Sequence, residues 1–120
     1  MRHMFKIGIM MLAAAAVATA IAAGCASTPL KTEASTSGIR AAEEVGAAGV
    51  PQASLHLQLA KEELGRAKSL AADDQKDKAD SMLARAEVDA ELAVALSRED
   101  AEKTEARAAV DRVRQLRQDN

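Results

Sequence analysis

At 120 residues and a formal net charge of −2, the chain has room for one small module and lacks the basic excess on which non-specific nucleic-acid binding rests. Its single aromatic residue is Phe5, so everything beyond the first few residues lacks a platform for stacking on bases or sugar rings. What is left is alanine, leucine and valine among charged side chains, the composition of long helices and coiled coils.

Residues 1–6 carry Arg2 and Lys6, and residues 7–23 carry no charge at all. A basic start, an apolar centre and a small-residue exit make a secretory signal. A retained membrane span is the weaker reading, because the run is short and alanine-rich and no basic stop follows it. Two cuts compete. Ala18-Thr19-Ala20 suits an ordinary A-x-A site, which would leave Cys25, the only cysteine, as an odd thiol in an oxidising compartment.

Alternatively, Ala22-Ala23-Gly24-Cys25 resembles a bacterial lipobox, with alanine at 22 where leucine is usual. That resemblance implies a signal peptide over 1–24, with Cys25 as the lipid attachment point, acylated with palmitate-like chains on its sulfur and its new amine. Each buried methylene contributes about 0.8 kcal/mol, so three chains would hold for practical purposes permanently. In the enterobacterial sorting scheme this resembles, an aspartate after the cysteine retains a protein at the inner membrane. Ala26 and Ser27 stand there instead, which favours the periplasm-facing leaflet of the outer membrane over the inner membrane.

Residues 25–37 read as the acylated cysteine and a flexible tether, small and hydroxyl-rich with Pro29 and no apolar period. A first helix is predicted from about 36 to 48, with Ile39, Ala42, Val45 or Gly46 and Gly49 at helical spacing. Gly49-Val50-Pro51 breaks it, since glycine ends helices and proline starts them. A second helix follows from Pro51 to about Ala72. Its seam is Ala53, Leu57, Ala60, Leu64, Ala67 and Ala71, and Glu62 and Arg66 are spaced for an i,i+4 pair. Residues 73–78 are the turn. A third helix is predicted from about Gln75 to Arg117, with a facing seam of Ala79, Leu83, Ala86, Ala90 and Ala93. Ala101, Ala108 or Ala109, Val113 and Leu116 continue that seam with some drift.

The expected fold is therefore all-α, an antiparallel helical hairpin over 38–118 behind the signal and tether. The third helix, about 60 Å long, would face a second of about 30 Å, with the first stacked end-on above the second. So thin a core favours partner helices, from self-assembly or from an envelope protein.

The stretch from Ile39 to Leu116 resembles the bacterial DUF4398 family of lipoproteins. The residues that carry the likeness are Ala42, Glu43, Gly46 and Ala47, then Pro51, Leu57, Leu59, Ala60, Glu63 and Leu64. After the turn come Ala79, Leu83, Ala84, Ala86, Asp89, Ala90, Leu92 and Ala93. Val50 stands where relatives commonly have an aromatic residue. The resemblance implies an envelope lipoprotein and brings no catalytic residues with it.

Reaction chemistry is not visible in the sequence. His56 has Gln52, Ala53, Leu59 and Ala60 at helical spacing, no partners for a metal, and reads as a solvated or rim histidine. The pairs Glu43-Glu44, Glu62-Glu63, Asp73-Asp74 and Glu99-Asp100 read as solvated surface, because acid–base work needs carboxyls converging in a cleft. No catalytic residue, cofactor or metal is expected. The cluster Arg107, Arg112, Arg114 and Arg117 complements the dipole of a helix C-terminus. Its sharper reading is contact with anionic headgroups or a partner, on the expectation that the end of the third helix lies beside the first, near the lipid tether.

Two functions fit. One is a non-enzymatic structural or interaction module, anchored to the outer membrane and facing the periplasm. The other is an accessory binding module that contacts peptidoglycan or an outer-membrane assembly. The partners expected are a membrane through the lipid anchor, a second copy or an envelope protein, and peptidoglycan for the second function. Nucleic acid is not expected.

Overall fold

The computed structural model describes residues 29–119; the export signal, its alternatives and Cys25 lie outside the described residues. Three helices follow one another: α1 (Glu33–Glu44), α2 (Pro51–Ala72) and α3 (Lys76–Gln118), with a 3-10 turn at Ala47–Gly49 between the first two. The described residues contain no strand, and the all-α hairpin expected from the sequence is what they form.

Local chemistry sets the breaks. α1 ends where Gly46 takes a left-handed φ of 79°, a conformation open to glycine at little steric cost. Its N–H donates back to the Glu43 carbonyl at 3.0 Å. Pro51 opens α2 at its first turn, where its missing N–H costs nothing. α2 closes in a Schellman motif. Asp74 donates to the Ala71 carbonyl at 3.2 Å, and Gln75 reaches back to the Leu70 carbonyl at 2.9 Å. Asp74 sits at the left-handed position of that motif, with φ 60°.

α2 and α3 pack antiparallel, with His56 opposite Asp89 and Glu63 opposite Arg85. Their seam buries Ala53, Leu57, Ala60 and Ala67 against Ala79, Leu83, Ala86, Ala90 and Ala93. Two details depart from the expected pattern. Glu63 is buried on this seam, while Leu64 is only partly so. Glu62 and Arg66 form no pair among the described residues, and Arg66 acts on Glu63 instead.

α1 is not stacked end-on above α2. It lies alongside the hairpin, contacting both helices and running in the same direction as α3. The Ser35 hydroxyl donates to the Leu83 carbonyl at 3.1 Å, and Gly38 lies against Ala90. The cause is a face of small residues, Ser35, Gly38 and Ala42, that lets the two backbones approach. A Cβ on Gly38 would stand 3.0 Å from the Ala90 Cβ. α1 also starts earlier than the sequence suggested. Residues 33–37, read as tether, are helical, and Ser35 is 2 % exposed.

Because α1 is spent beside the hairpin, nothing among the described residues covers the far half of α3. Ser97 is its last buried residue, and residues 98–119 are all exposed. The expected continuation of the seam through Ala101, Ala108 or Ala109, Val113 and Leu116 is therefore not buried. The buried positions 79, 83, 86, 90, 93 and 97 step by fours and threes. Carried onward, that step lands on Asp100, Thr104, Arg107, Asp111, Arg114 and Gln118. The hairpin-facing side turns polar where the hairpin ends, and the arm beyond it is about 30 Å long.

Two substitutions test this packing by chemical denaturation. Gly38→Ala should destabilise the protein although alanine is the better helix former by about 1 kcal/mol, because the opposing Cβ of Ala90 is fixed to a helix backbone and cannot rotate away. Asp74→Gly should stabilise it by about 0.5–1 kcal/mol, since glycine occupies the left-handed position with little strain.

Candidate functional site

Two features stand out from the solvated surface: a charged cluster inside the hairpin and the uncovered arm of α3.

The cluster joins α2 to α3. His56 Nδ1 lies 2.7 Å from Asp89 Oδ1, both side chains being largely covered. A carboxylate only accepts, so Nδ1 carries the proton and donates. His56 is thus at the rim of the seam and not fully solvated, and it has a partner. Its partner comes from the facing helix, where spacing along its own helix could not reveal it. One turn away, Arg85 Nε donates to Glu63 Oε1 at 3.0 Å. Glu63 itself is 5 % exposed, so it is a seam residue and not the solvated carboxylate its Glu62-Glu63 pairing suggested.

Burial raises the pKa of Glu63 above the usual carboxylate range. The neighbouring Asp89 pushes it the same way, by a hydrogen bond to the protonated form and by its charge, while Arg85 and Arg66 pull it down. Glu63 Oε2 is buried with no hydrogen-bond partner. A proton there would give Asp89 a donor, and Asp89 would then accept from both His56 and Glu63. A second buried polar atom without a partner, Ser97 Oγ, marks the last covered turn of α3.

This cluster ties α2 to α3. The surface grooves given by the described residues are open, and one runs along α2 past Glu62, Gly65, Arg66 and Asp73. No group of three or more His, Cys, Asp or Glu among the described residues is placed to hold a metal. No helix among them is long and apolar enough to cross a membrane.

The four arginines expected to act together are all on the exposed arm. Arg114 also holds Asp111 at 3.3 Å, one turn away on the surface. They do not lie beside α1, as the headgroup reading supposed. α1 starts near the level of Leu83, and Arg107 and Arg117 stand about 36 and 51 Å further along α3. Val110 and Val113, both 49 % exposed, share the arm with them. Cys25 lies outside the described residues.

Residues 31–109 match the family model described as "Domain of unknown function (DUF4398)". The match takes in α1, both arms of the hairpin and the first part of the uncovered arm. Comparisons with curated proteins and with solved structures find no match.

Titration tests the cluster. A folded-state pKa above the unfolded one means that the protonated form of Glu63 is favoured by folding. Its contribution is fully present below the ordinary carboxylate pKa and is lost as pH rises through the raised value. Glu63→Gln should therefore flatten the fall in stability above about pH 4.5 and leave the protein no less stable at pH 7. Arg85→Ala should cost about 1–3 kcal/mol at pH 7, and less at pH 4.5. Denaturation midpoints at the two pH values read both.

Proposed function

The chain belongs to the DUF4398 family, a domain of unknown function, and from that premise we propose that it is an outer-membrane-anchored periplasmic lipoprotein whose helical hairpin is a non-enzymatic interaction module. The observation that carries the reading is the arm. Residues 98–119 are exposed on every face, though α3 holds its helix to Gln118. A helix extended so far beyond its own core is best explained by something other than that core.

The anchor supports the same reading through geometry. Acylated at Cys25, the chain has eight residues before α1, which span at most about 28 Å. With the tip of the arm pointing at the bilayer, α1 would have to start about 50 Å above it, beyond that reach. The arm therefore lies along the membrane or points away from it. An arm that points away carries Arg107, Arg112, Arg114 and Arg117 towards a partner, and only an arm lying flat brings them near headgroups. Open grooves and carboxylates engaged in helix pairing support a binding role over a catalytic one.

Metabolic labelling with an alkyne palmitate, followed by membrane fractionation, tests the anchor. The wild-type protein should take the label and sediment with outer membrane, and Cys25→Ser should lose the label and appear in the soluble periplasm. An unlabelled wild-type protein in the soluble fraction would overturn the reading. Retention of the soluble Cys25→Ser form on isolated sacculi would instead favour the wall-binding alternative.

A further inference from the structure

The arm carries its charge in two blocks. Residues 98–105 hold four carboxylates against Arg98 and Lys103, and residues 106–119 hold the four arginines against Asp111 and Asp119. The first block is thus net negative and the second net positive by the same amount. Ala106, Val110 and Val113 fall at steps of four and three, one apolar line on the arm, with Ala109 at its edge. Val110 and Val113 are each half exposed, with nothing among the described residues packed over them.

This order is self-complementary in one direction only. Two arms laid parallel would set carboxylate against carboxylate and arginine against arginine, which is repulsive along the whole contact. Two arms laid antiparallel about an axis near residue 108 put Glu99 by Arg117 of the other copy, Asp100 by its Arg114 and Glu105 by its Arg112. Each pairing then occurs twice by symmetry. The alanines and valines fall near the axis, where small side chains permit close helix approach.

We propose that the arm is a self-pairing surface through which two copies of this chain join antiparallel over residues 98–118. The proposal rests on the reading of the arm as an interaction element and names its partner. The interface is isologous, so the assembly closes at two. The hairpins project at opposite ends of the paired arms, and α1 of each copy begins about 37 Å from the axis. A rod lying flat brings both tethers to one bilayer. The apolar line is thin, and confinement to a membrane supplies the effective concentration that a weak helix pair needs.

Site-directed cross-linking of the full chain in isolated envelopes tests this. Ala109→Cys lies near the axis, and Ala84→Cys lies on the exposed side of the hairpin, where antiparallel copies would be about 70 Å apart. A short bismaleimide should cross-link Ala109→Cys to a dimer and leave Ala84→Cys monomeric. Dimers at both positions would mean parallel association, and dimers at neither would mean no self-pairing; each overturns the proposal. Charge reversal checks the chemistry by sedimentation in detergent. Arg112→Glu with Arg114→Glu should weaken the dimer by at least about tenfold, and adding Asp100→Lys with Glu105→Lys should restore it. An unchanged dimer in the arginine variant would overturn the proposal, as would salt-sensitive binding of a monomeric arm to anionic vesicles. The wild-type chain reports separately on the anchor. A dimer cross-linked through Cys25 would show a free thiol and sink the acylation without bearing on the arm.

Discussion

Nine of the twelve buried apolar side chains among the described residues are alanine, and the rest of the structure follows from that thinness. Alanine seams bring helix backbones close but remove little apolar area from water per turn. They are also nearly uniform along their length. Sliding α2 past α3 by one heptad would again set alanine against alanine, so beyond the short turn that joins them the seam holds the helices together without deciding how they are aligned. A large apolar side chain seated in one hole would normally decide it, yet only Ile39, Leu57 and Leu83 of the buried apolar set are larger than alanine.

The polar ties supply what the seam lacks. The buried Ser35 hydroxyl donates to a single carbonyl, that of Leu83. His56 has one partner at bonding distance, Asp89, and Glu63 meets Arg85, one turn from Asp89 along α3. Such contacts are worth little as net stability. A buried charge loses its hydration, and replacement by apolar side chains is often neutral or stabilising. A directional bond is satisfied in one register and lost in every other, which is the role a single buried polar residue plays in coiled coils. The raised pKa of Glu63 is the cost of placing that tie inside.

Turn chemistry made the helices legible in the sequence. Gly49-Val50-Pro51 placed the start of α2 at Pro51, and the acidic turn at 73–78 placed its end near Ala72. The five seam residues of α3 from Ala79 to Ala93 are all buried, as their spacing indicated. What was not legible involved contacts between elements. The buried position of Glu63 was hidden because Leu64, its neighbour, fits the same seam. His56 looked unpartnered because its partner is thirty-three residues away. The side-by-side packing of α1 depends on Ser35 and Gly38, residues that read as tether or as weak helix until the close approach they permit is seen. The polar step from Asp100 to Gln118 was there to be read, but the scattered apolar residues of the arm obscured it.

Short-range order and long-range reach are thus divided within one helix. The first half of α3 is held by α1 and α2 in a fixed alignment, and the second half presents the arm at a defined distance and direction from the start of α1. An alignment that wandered by a heptad would move the tip of the arm by about 10 Å relative to α2. Electron–electron distance measurement between spin labels at Leu55→Cys and Val88→Cys, in a Cys25→Ser background, tests whether the polar ties set that alignment. Replacing together the ties between α2 and α3, by Glu63→Leu, His56→Ala and Asp89→Ala, should leave a helical protein whose single narrow distance has become a broad or multiple distribution. One unchanged narrow distance would contradict the claim and return register to the alanine seam itself.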